Sequence, residues 1–390
     1  MASLMEDIDS AGDTLIIIPY LPQSSQVKDQ PNDEDDQAPT EDGPRGSSDD
    51  APAHNSDQVL QQEDNSFLEL RLKVSKKHLT VASRRARAMF TRDYQESQPS
   101  ETDGLCYWKF EPLFEPEAFR IVMKIFHLQT RDLPESVTLD MMAHIAAIVD
   151  DLQCHDAVWF VTKAWIKQLN HRLPSEICKD LIRWILIASV FRETELFEST
   201  TRTAILHSTF SIPTFGLPIQ PNIIDMIEKK RQDLLEELIN QLHNQVDRLR
   251  DGRTCVASGC SSMLLGALIR EMSANDLFSP RPSKPFPDTS LSPILETIRS
   301  FQSPTFCLPE EECFYDDESK VWELEILSHS STWKKKRRTA FKNIEYVSTP
   351  KPKRVAVHRC SLQGLLHPEL KSLQGKIEGL ELPDAGTSSN

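Results

Sequence analysis

The sequence predicts an α+β fold, in which a small sheet with a cluster of helices is followed by an all-α region and by disordered segments. Three observations predict it. Two separate stretches, residues 12–18 and 67–74, carry the apolar patterns of strands. From residue 116 onward, apolar side chains recur every three or four positions, which is typical of helices. Two long polar stretches have too few apolar groups to form a core.

Three strands are predicted within the first 110 residues. Residues 12–18 contain an aliphatic run that is expected to end at Pro19, because proline cannot donate to a sheet. Residues 67–74 alternate apolar and charged side chains, so one face of this strand would be buried. Residues 106–110 are rich in aromatic side chains and predict the third strand.

An acidic insertion separates the first two strands. Residues 22–64 are rich in Asp, Glu, Gln, Ser and Pro, and their only large aliphatic side chains are Val27, Val59 and Leu60. So little apolar surface cannot offset the entropy lost on ordering, and the segment is predicted to be disordered. Closing a loop costs free energy that grows only with the logarithm of its length, so the two strands can still lie side by side.

Helices are predicted over most of the rest of the chain. The first, over residues 78–90, has a basic face at Arg84, Arg85 and Arg87. The strongest stripe of apolar residues follows Pro116, which is a favoured residue for the first turn of a helix. Further stripes predict helices over residues 138–152, 158–169, 175–191, 194–207, 221–249 and 263–272.

The stripe over residues 221–249 is the longest, and it is interrupted by Arg231 and stopped by Gly252. Packing in the core of the helical region is the favoured interpretation, because the stripe lacks regular heptads. A helix that binds a partner is the alternative.

The predicted organisation has four parts. A sheet-containing domain with its disordered insertion spans residues 12–169, and an α-helical region spans residues 174–277. A mostly disordered segment that is rich in proline and basic residues covers residues 278–366, and a short C-terminal helix behind Pro368 covers residues 367–382.

Composition and motifs exclude several functional classes. The 390 residues include only 12 glycines, and no GxGxxG or P-loop motif is present. HExxH, GxSxG and zinc-deaminase patterns are also missing, so we predict no enzymatic activity and no cofactor. No apolar run approaches the ~20 residues of a membrane span. The first nine residues lack the basic residues of a secretory signal, so an intracellular protein without a membrane partner is expected.

The net charge of −15 is distributed unevenly. Residues 1–65 hold sixteen acidic side chains against two basic ones, whereas residues 333–359 hold ten basic side chains against one acidic. The basic segment predicts a nuclear import signal and a nuclear or nucleocytoplasmic location. Nucleic-acid binding is disfavoured, because no recognised binding motif accompanies the segment. A solvated run of charge remains the alternative to import. The import residues would be Lys334, Lys335, Lys336, Arg337, Arg338, Lys351, Lys353 and Arg354.

Histidine and cysteine side chains offer only weak candidates for chemistry. His144 and His155 could each act as a general base, but hydrogen-bonded structural histidines are favoured. A zinc site would need Cys255 and Cys260 to meet His358 and Cys360 across about a hundred residues. Buried structural thiols are therefore the preferred interpretation, and no metal centre is expected.

A short signature carries a resemblance to a known family. After the second predicted strand come His78, Leu79, Ala82 and Ser83, and then the ending Ala88, Met89 and Phe90. This order resembles the opening of BTB/POZ domains, and residues 114–119, 149–154 and 187–191 are similar to the fungal branch of that family. The chain departs from the family at Arg84, Arg85 and Ala86, where proline, an apolar residue and an aromatic residue are common.

The resemblance implies a protein–protein interaction module. A BTB-like domain would self-associate, with a homodimer expected, and the protein would recruit other proteins as an adaptor or nuclear scaffold. The alternative is a substrate receptor of a cullin-type ubiquitin ligase, which the resemblance also allows. The sequence shows no kelch repeat, MATH domain or zinc finger to read a substrate, so the adaptor is preferred.

Overall fold

The structure is a computed structural model that describes residues 3–21, 68–92, 94–169, 173–252, 259–304, 314–315, 322–323 and 360–382. The chain divides into two compact units, Met1–Asn170 (unit 1) and His171–Asn390 (unit 2). The α+β class is confirmed, since a four-stranded sheet in unit 1 accompanies helices in both units.

Unit 1 is built on a sheet of four strands, β1 (Ser3–Asp7), β2 (Thr14–Tyr20), β3 (Leu68–Val74) and β4 (Cys106–Lys109). Their order is β1-β3-β2-β4. Antiparallel pairing sets Thr14 opposite Val74 and Tyr20 opposite Leu68, so the two distant stretches of chain do lie side by side. The edge strands run parallel to their neighbours, β1 to β3 and β4 to β2.

The edge strand β1 was not predicted from the sequence. Its side chains are mostly exposed on both faces, so it has no alternating apolar pattern to detect. It is held by its ladder with β3 and by Glu6, whose carboxylate accepts from Arg120 Nε at 2.5 Å. Charge pairing and backbone hydrogen bonds, rather than burial, therefore keep this strand in place.

Pro19 does not end β2, contrary to the prediction. Residue 19 pairs with Glu69 of β3, and its nitrogen lies on the side of the strand that faces β4. The ladder with β4 reaches only as far as Ile17, so no hydrogen bond is lost at the proline.

The described part of unit 1 also contains five α-helices: α1 (Lys76–Ala82), α2 (Arg84–Thr91), α3 (Pro116–Phe126), α4 (Leu139–Leu152) and α5 (His155–Leu169). The single helix predicted over residues 78–90 is wrong. Ser83 has extended dihedrals and begins a second helix, so the chain turns between α1 and α2.

Aromatic side chains form much of the packing beside β4. Trp108 meets the edge of Phe90 with ring centroids 5.7 Å apart and lies 4.7 Å from Phe110. Phe110 in turn contacts Phe119 of α3 at 4.9 Å. These edge-to-face and tilted contacts are favoured arrangements for aromatic rings, and they join the sheet to α2 and α3.

Unit 2 is helical, with α6 (Lys179–Phe191), α7 (Thr194–His207), α8 (Pro221–Arg250), α9 (Cys260–Ala274), α10 (Leu291–Arg299) and α11 (Leu362–Gln374). Two-residue strands β5 (Phe314–Tyr315) and β6 (Trp322–Glu323) pair antiparallel. The apolar stripe of α8 is buried, and α8 packs on α7, α9 and α11, as the core interpretation requires.

Residues 278–366 were predicted to be mostly disordered, and this prediction is wrong for the residues that form α10. The prolines of this stretch indicated irregular structure, yet Pro293 lies in the first turn of α10, where a backbone N–H has no helical acceptor. Leu291, Leu295 and Ile298 repeat at helical spacing and are buried.

The C-terminal helix also begins earlier than predicted. Ser361 caps α11, accepting from the amide of Gly364 at 3.0 Å, so the helix starts at Leu362 instead of following Pro368. After Gln374 the chain continues without regular structure, and Ile377 and Leu380 remain buried in unit 2.

Candidate protein-interaction surface

The residues of the BTB-like signature occupy α1 and α2, with different exposures. Leu79, Ser83 and Phe90 are buried, Ala82 and Met89 are half-buried, and His78 and Ala88 are exposed. The buried members pack under the helix pair, so they support the fold. Only the exposed members can contact a partner directly.

Ser83 connects three helices. Its hydroxyl accepts from the amide of Ala86 at 2.9 Å, which caps α2, and donates to the carbonyl of Leu152 at 2.6 Å. Leu152 is the last residue of α4, and Ser83 is fully buried. A single hydroxyl therefore caps α2 and satisfies a buried carbonyl at the C-terminal end of α4.

We expect Ser83→Ala to lower the free energy of unfolding by about 1–2 kcal/mol, because it removes an N-cap and leaves a buried carbonyl without a donor. Ser75→Ala is the matched control, since Ser75 occupies the N-cap of α1 but makes no side-chain capping bond. Urea unfolding of both variants measures the difference. Equal losses in the two proteins would contradict this role of Ser83.

Arg85 contacts two aromatic rings and a carboxylate. Its guanidinium lies 5.8 Å from the ring of Trp108 and 5.6 Å from that of Phe110, and it donates to the carboxylate of Asp151. Burial raises the pKa of Asp151, and the charge of Arg85 opposes that shift. Cation–π contacts and an ion pair thus hold Arg85 beside the aromatic cluster.

An exposed apolar surface adjoins the start of α2. Val81 of α1 is 71% exposed, while Trp159 and Phe160 of α5 are 55% and 80% exposed. Arg84 and Asp156 lie 3.8 Å apart and bring the start of α2 to the first turn of α5. We call the five residues Val81, Arg84, Asp156, Trp159 and Phe160 the α1–α5 surface.

This surface has the composition of a protein interface. Aromatic side chains dominate the binding energy of many interfaces, and adjacent exposed aromatics are costly to leave in water. Lys163 Nζ lies 4.8 Å from the centre of the Trp159 ring and makes a cation–π contact with it. The exposed ion pair between Arg84 and Asp156 could exchange partners with an identical pair.

An open cleft of about 520 Å³ lies beside α3 in the same unit. Its walls are Ile121 and Met141 on two helices and the loop that holds Leu133 and Pro134. The carbonyl of Pro134 accepts from Trp165 Nε1 at 3.2 Å, which fixes this loop to α5. A peptide segment could occupy this cleft.

Three titratable side chains from distant parts of the sequence meet at one edge of unit 1. Asp9 follows β1, His78 lies on α1 and His127 ends α3, and one potential ligand atom from each lies within 4.8 Å of the others. The two imidazole rings are 4.8 Å apart. Burial lowers the pKa of His127, a shift that its hydrogen bond with the carbonyl of Met123 opposes.

The other histidine and cysteine candidates show no catalytic arrangement in the described ranges. His144 Nε2 lies 3.7 Å from an exposed carboxylate oxygen of Asp140, one turn away on α4. His155 begins α5 and is half-buried. Cys154 is buried, and desolvation raises the pKa of its thiol, which disfavours the reactive thiolate.

The remaining predicted candidates cannot be placed. The import residues Lys334, Lys335, Lys336, Arg337, Arg338, Lys351, Lys353 and Arg354 lie outside the described residues, as do Cys255 and His358 of the proposed zinc set. Cys260 is buried at the start of α9, and Cys360 is half-buried.

Comparisons with known proteins give no assignment: no protein-family model matches the chain, and no match is found among curated proteins. Among the helices that the structure describes, none combines the length and apolar character required to traverse a bilayer.

Trp159 and Phe160 were missed in the sequence analysis. The apolar stripe of α5 was assigned to residues that face the core, and two of them, Val158 and Trp165, are buried. Trp159 and Phe160 lie off that stripe. Two adjacent aromatic residues on the opposite side of an amphipathic helix were the available signal for an interface.

Proposed function

We propose that the protein is a protein–protein interaction module of the BTB/POZ type, which self-associates through unit 1 and recruits other proteins as an adaptor or scaffold. The observation that carries the proposal is the α1–α5 surface, which combines two adjacent exposed aromatic side chains and an exposed valine with an ion pair. The way in which β3 leads directly into α1 and α2, the helices that carry the signature residues, supports the proposal.

Self-association would bury the apolar members of the surface against the same residues of a second copy. In a twofold-symmetric dimer the same surface of both copies forms the interface, so each residue contributes one contact from each copy. Arg84 of one copy would face Asp156 of the other, and the exposed aromatic rings would become the buried centre. Charge and apolar area are thus both complementary in a twofold arrangement.

We expect Phe160→Asp to weaken self-association at least about 30-fold, because truncation of a central aromatic residue costs 2 kcal/mol or more and the new carboxylate would be buried. Phe160 is 80% exposed in the single chain, so folding should be unaffected. Sedimentation velocity over a range of protein concentrations measures the change.

Leu113→Asp is the matched control, because Leu113 is also exposed, at 75%, but lies in the loop between β4 and α3. Self-association of this variant should equal that of the unaltered protein. If Phe160→Asp associates as strongly as Leu113→Asp, the α1–α5 surface is not the interface.

A substrate receptor of a cullin-type ubiquitin ligase is the second candidate. The cleft beside α3 favours it, since it gives unit 1 a recognition site in addition to the α1–α5 surface. Co-purification of a cullin with the full chain, and its loss on Met141→Glu in the cleft wall, would support the receptor. Binding of other proteins without a cullin would support the adaptor.

A nuclear or nucleocytoplasmic location belongs to the same proposal. It is supported by the basic composition of residues 333–359. Replacement of Lys334 to Arg338 by alanine, followed by imaging of the tagged protein in cells, distinguishes an import signal from a solvated run of charge.

A further inference from the structure

We propose that Asp9, His78 and His127 form a binding site for a divalent transition-metal ion, with Zn²⁺ as the best fit. The donor atoms are two imidazole nitrogens and one carboxylate oxygen, which is a common set for zinc with water in the fourth position. Each of the three residues offers an atom within 4.8 Å of the others. Ligand atoms around tetrahedral zinc are about 3.4 Å apart, so small side-chain rotations would close the site.

His127 is oriented as a ligand would be. Its Nδ1 lies 2.8 Å from the carbonyl oxygen of Met123, to which it donates, and this bond leaves Nε2 as the nitrogen with a lone pair. Metal-bound histidines almost always donate their second ring nitrogen to a carbonyl or carboxylate in this way. In the metal-free protein Nε2 accepts from the amide of Ser75 at 3.0 Å, so metal binding would replace that hydrogen bond.

The other two ligands are open to a metal. Among the described residues, no hydrogen bond or ion pair of His78 is observed, and its ring lies 4.8 Å from that of His127. Asp9 accepts from the amide of Ala11 through Oδ1 at 3.0 Å, which orients the carboxylate and leaves Oδ2 for a metal. His78 is exposed, so water can reach the site and complete the coordination.

The bound ion would tie together three parts of unit 1 that are distant in sequence. Asp9 lies in the turn between β1 and β2, His78 in α1 and His127 at the end of α3. The edge strand β1 has few buried side chains, so a metal bond next to it would fix it to the helices. The inference concerns other residues than those of the α1–α5 surface and does not depend on self-association.

The test is equilibrium dialysis of the metal-stripped full chain against Zn²⁺ at neutral pH, with elemental analysis and, in parallel, against Mg²⁺. We expect His78→Ala and Asp9→Asn to bind one Zn²⁺ fewer, or to bind it at least about tenfold more weakly. His144→Ala is the matched control, because His144 also lies close to a carboxylate, that of Asp140, but has no third ligand described. Mg²⁺ should not bind, because it prefers oxygen ligands.

Hydrogen exchange at Ser75 gives a second, local measurement. Zn²⁺ should speed exchange of this amide, because it loses its acceptor, and should raise the melting temperature of the unaltered protein but not of His78→Ala. Unchanged zinc stoichiometry and affinity in His78→Ala and Asp9→Asn would overturn the proposal, as would the absence of any zinc bound by the unaltered chain. Metal-free melting curves confirm that the variants are folded.

Discussion

We expect Gly379→Ala to lower the free energy of unfolding of unit 2 by about 3 kcal/mol, or to detach the C-terminal segment at a similar cost. A methyl group at this position would lie 2.6 Å from the Cα of Glu198 on α7 and would overlap its carbonyl group. The obstacle is helix backbone, which cannot move aside as a flexible side chain can.

The contacts around Gly379 explain the size of the effect. The amide of Leu380 donates to the hydroxyl of Thr201 at 2.8 Å in a buried position, and Lys230 Nζ donates to the carbonyl of Gly379 at 3.2 Å. Displacing this backbone would break both bonds and expose Leu380, whose burial alone is worth about 1.5–3 kcal/mol.

Gly375→Ala provides the control, because the nearest obstacle there is the carbonyl oxygen of Ser372 at 3.4 Å, an ordinary contact. This variant should be as stable as the unaltered protein or slightly more stable. Urea unfolding, together with limited proteolysis of residues 360–382, measures both. Equal stability of the two variants would show that the C-terminal segment does not pack against α7 as described.

We expect Arg231→Met to lower the free energy of unfolding of unit 2 by about 3–5 kcal/mol, because it removes one partner of a buried ion pair. The Arg231 side chain is 1% exposed. It donates to both carboxylate oxygens of Glu228, at 2.8 and 2.6 Å. It also donates to three carbonyls of the loop before α10, those of Pro285, Phe286 and Thr289.

The loss of stability caused by Arg231→Met should become smaller as the pH falls. Burial raises the pKa of Glu228, but hydrogen bonds from Arg231 and Gln232 outweigh it, so the pKa is lower than the usual 4.5. A carboxylate with a lowered pKa in the folded state stabilises the fold above pH 4.5, and that contribution is lost as the pH falls through the folded pKa. The difference between Arg231→Met and the unaltered protein should therefore shrink, though not vanish, in acid.

Arg250→Met is the control for this experiment. Arg250 also pairs with an acidic residue one turn away, Asp247 at 3.0 Å, but both side chains are largely exposed. Exposed pairs contribute about 1 kcal/mol at most, so the loss should be small. Chemical unfolding of both variants at neutral and acid pH measures the two losses of stability. A loss at Arg231 no larger than at Arg250 would contradict the role of this arginine.

Arg231 also shows why part of the structure was not predictable from the sequence. In the sequence it interrupts an apolar stripe, and only Glu228, three residues earlier, indicates a partner for its guanidinium. Its other acceptors are backbone carbonyls more than fifty residues away, in a stretch whose prolines predicted irregular structure. Backbone groups carry no sequence signal, so only the folded chain reveals these partners.

Periodic elements were predicted well, because burial imposes the spacing that the sequence shows. The helices α3, α7 and α8 begin and end close to the predicted residues, and β2 pairs with β3 across the acidic insertion. The strand β1 was missed, since an exposed edge strand needs only backbone pairing.

Of the two candidate sites, one could have been predicted from the sequence and the other could not. The exposed aromatics Trp159 and Phe160 could have been found by examining the polar side of α5. The cluster of Asp9, His78 and His127 could not, because its members are about fifty or more residues apart and meet only through the sheet and the ends of α1 and α3. Sequence spacing can identify metal ligands that lie on one helix or strand, but not ligands that come from three separate elements.

The most direct test of the proposed function is the solution mass of the full chain, measured by light scattering over a range of protein concentrations. Self-association through unit 1 predicts a species of twice the chain mass of 44.4 kDa that becomes a single chain in Phe160→Asp. A mass of 44.4 kDa at every concentration of the unaltered protein would contradict the account.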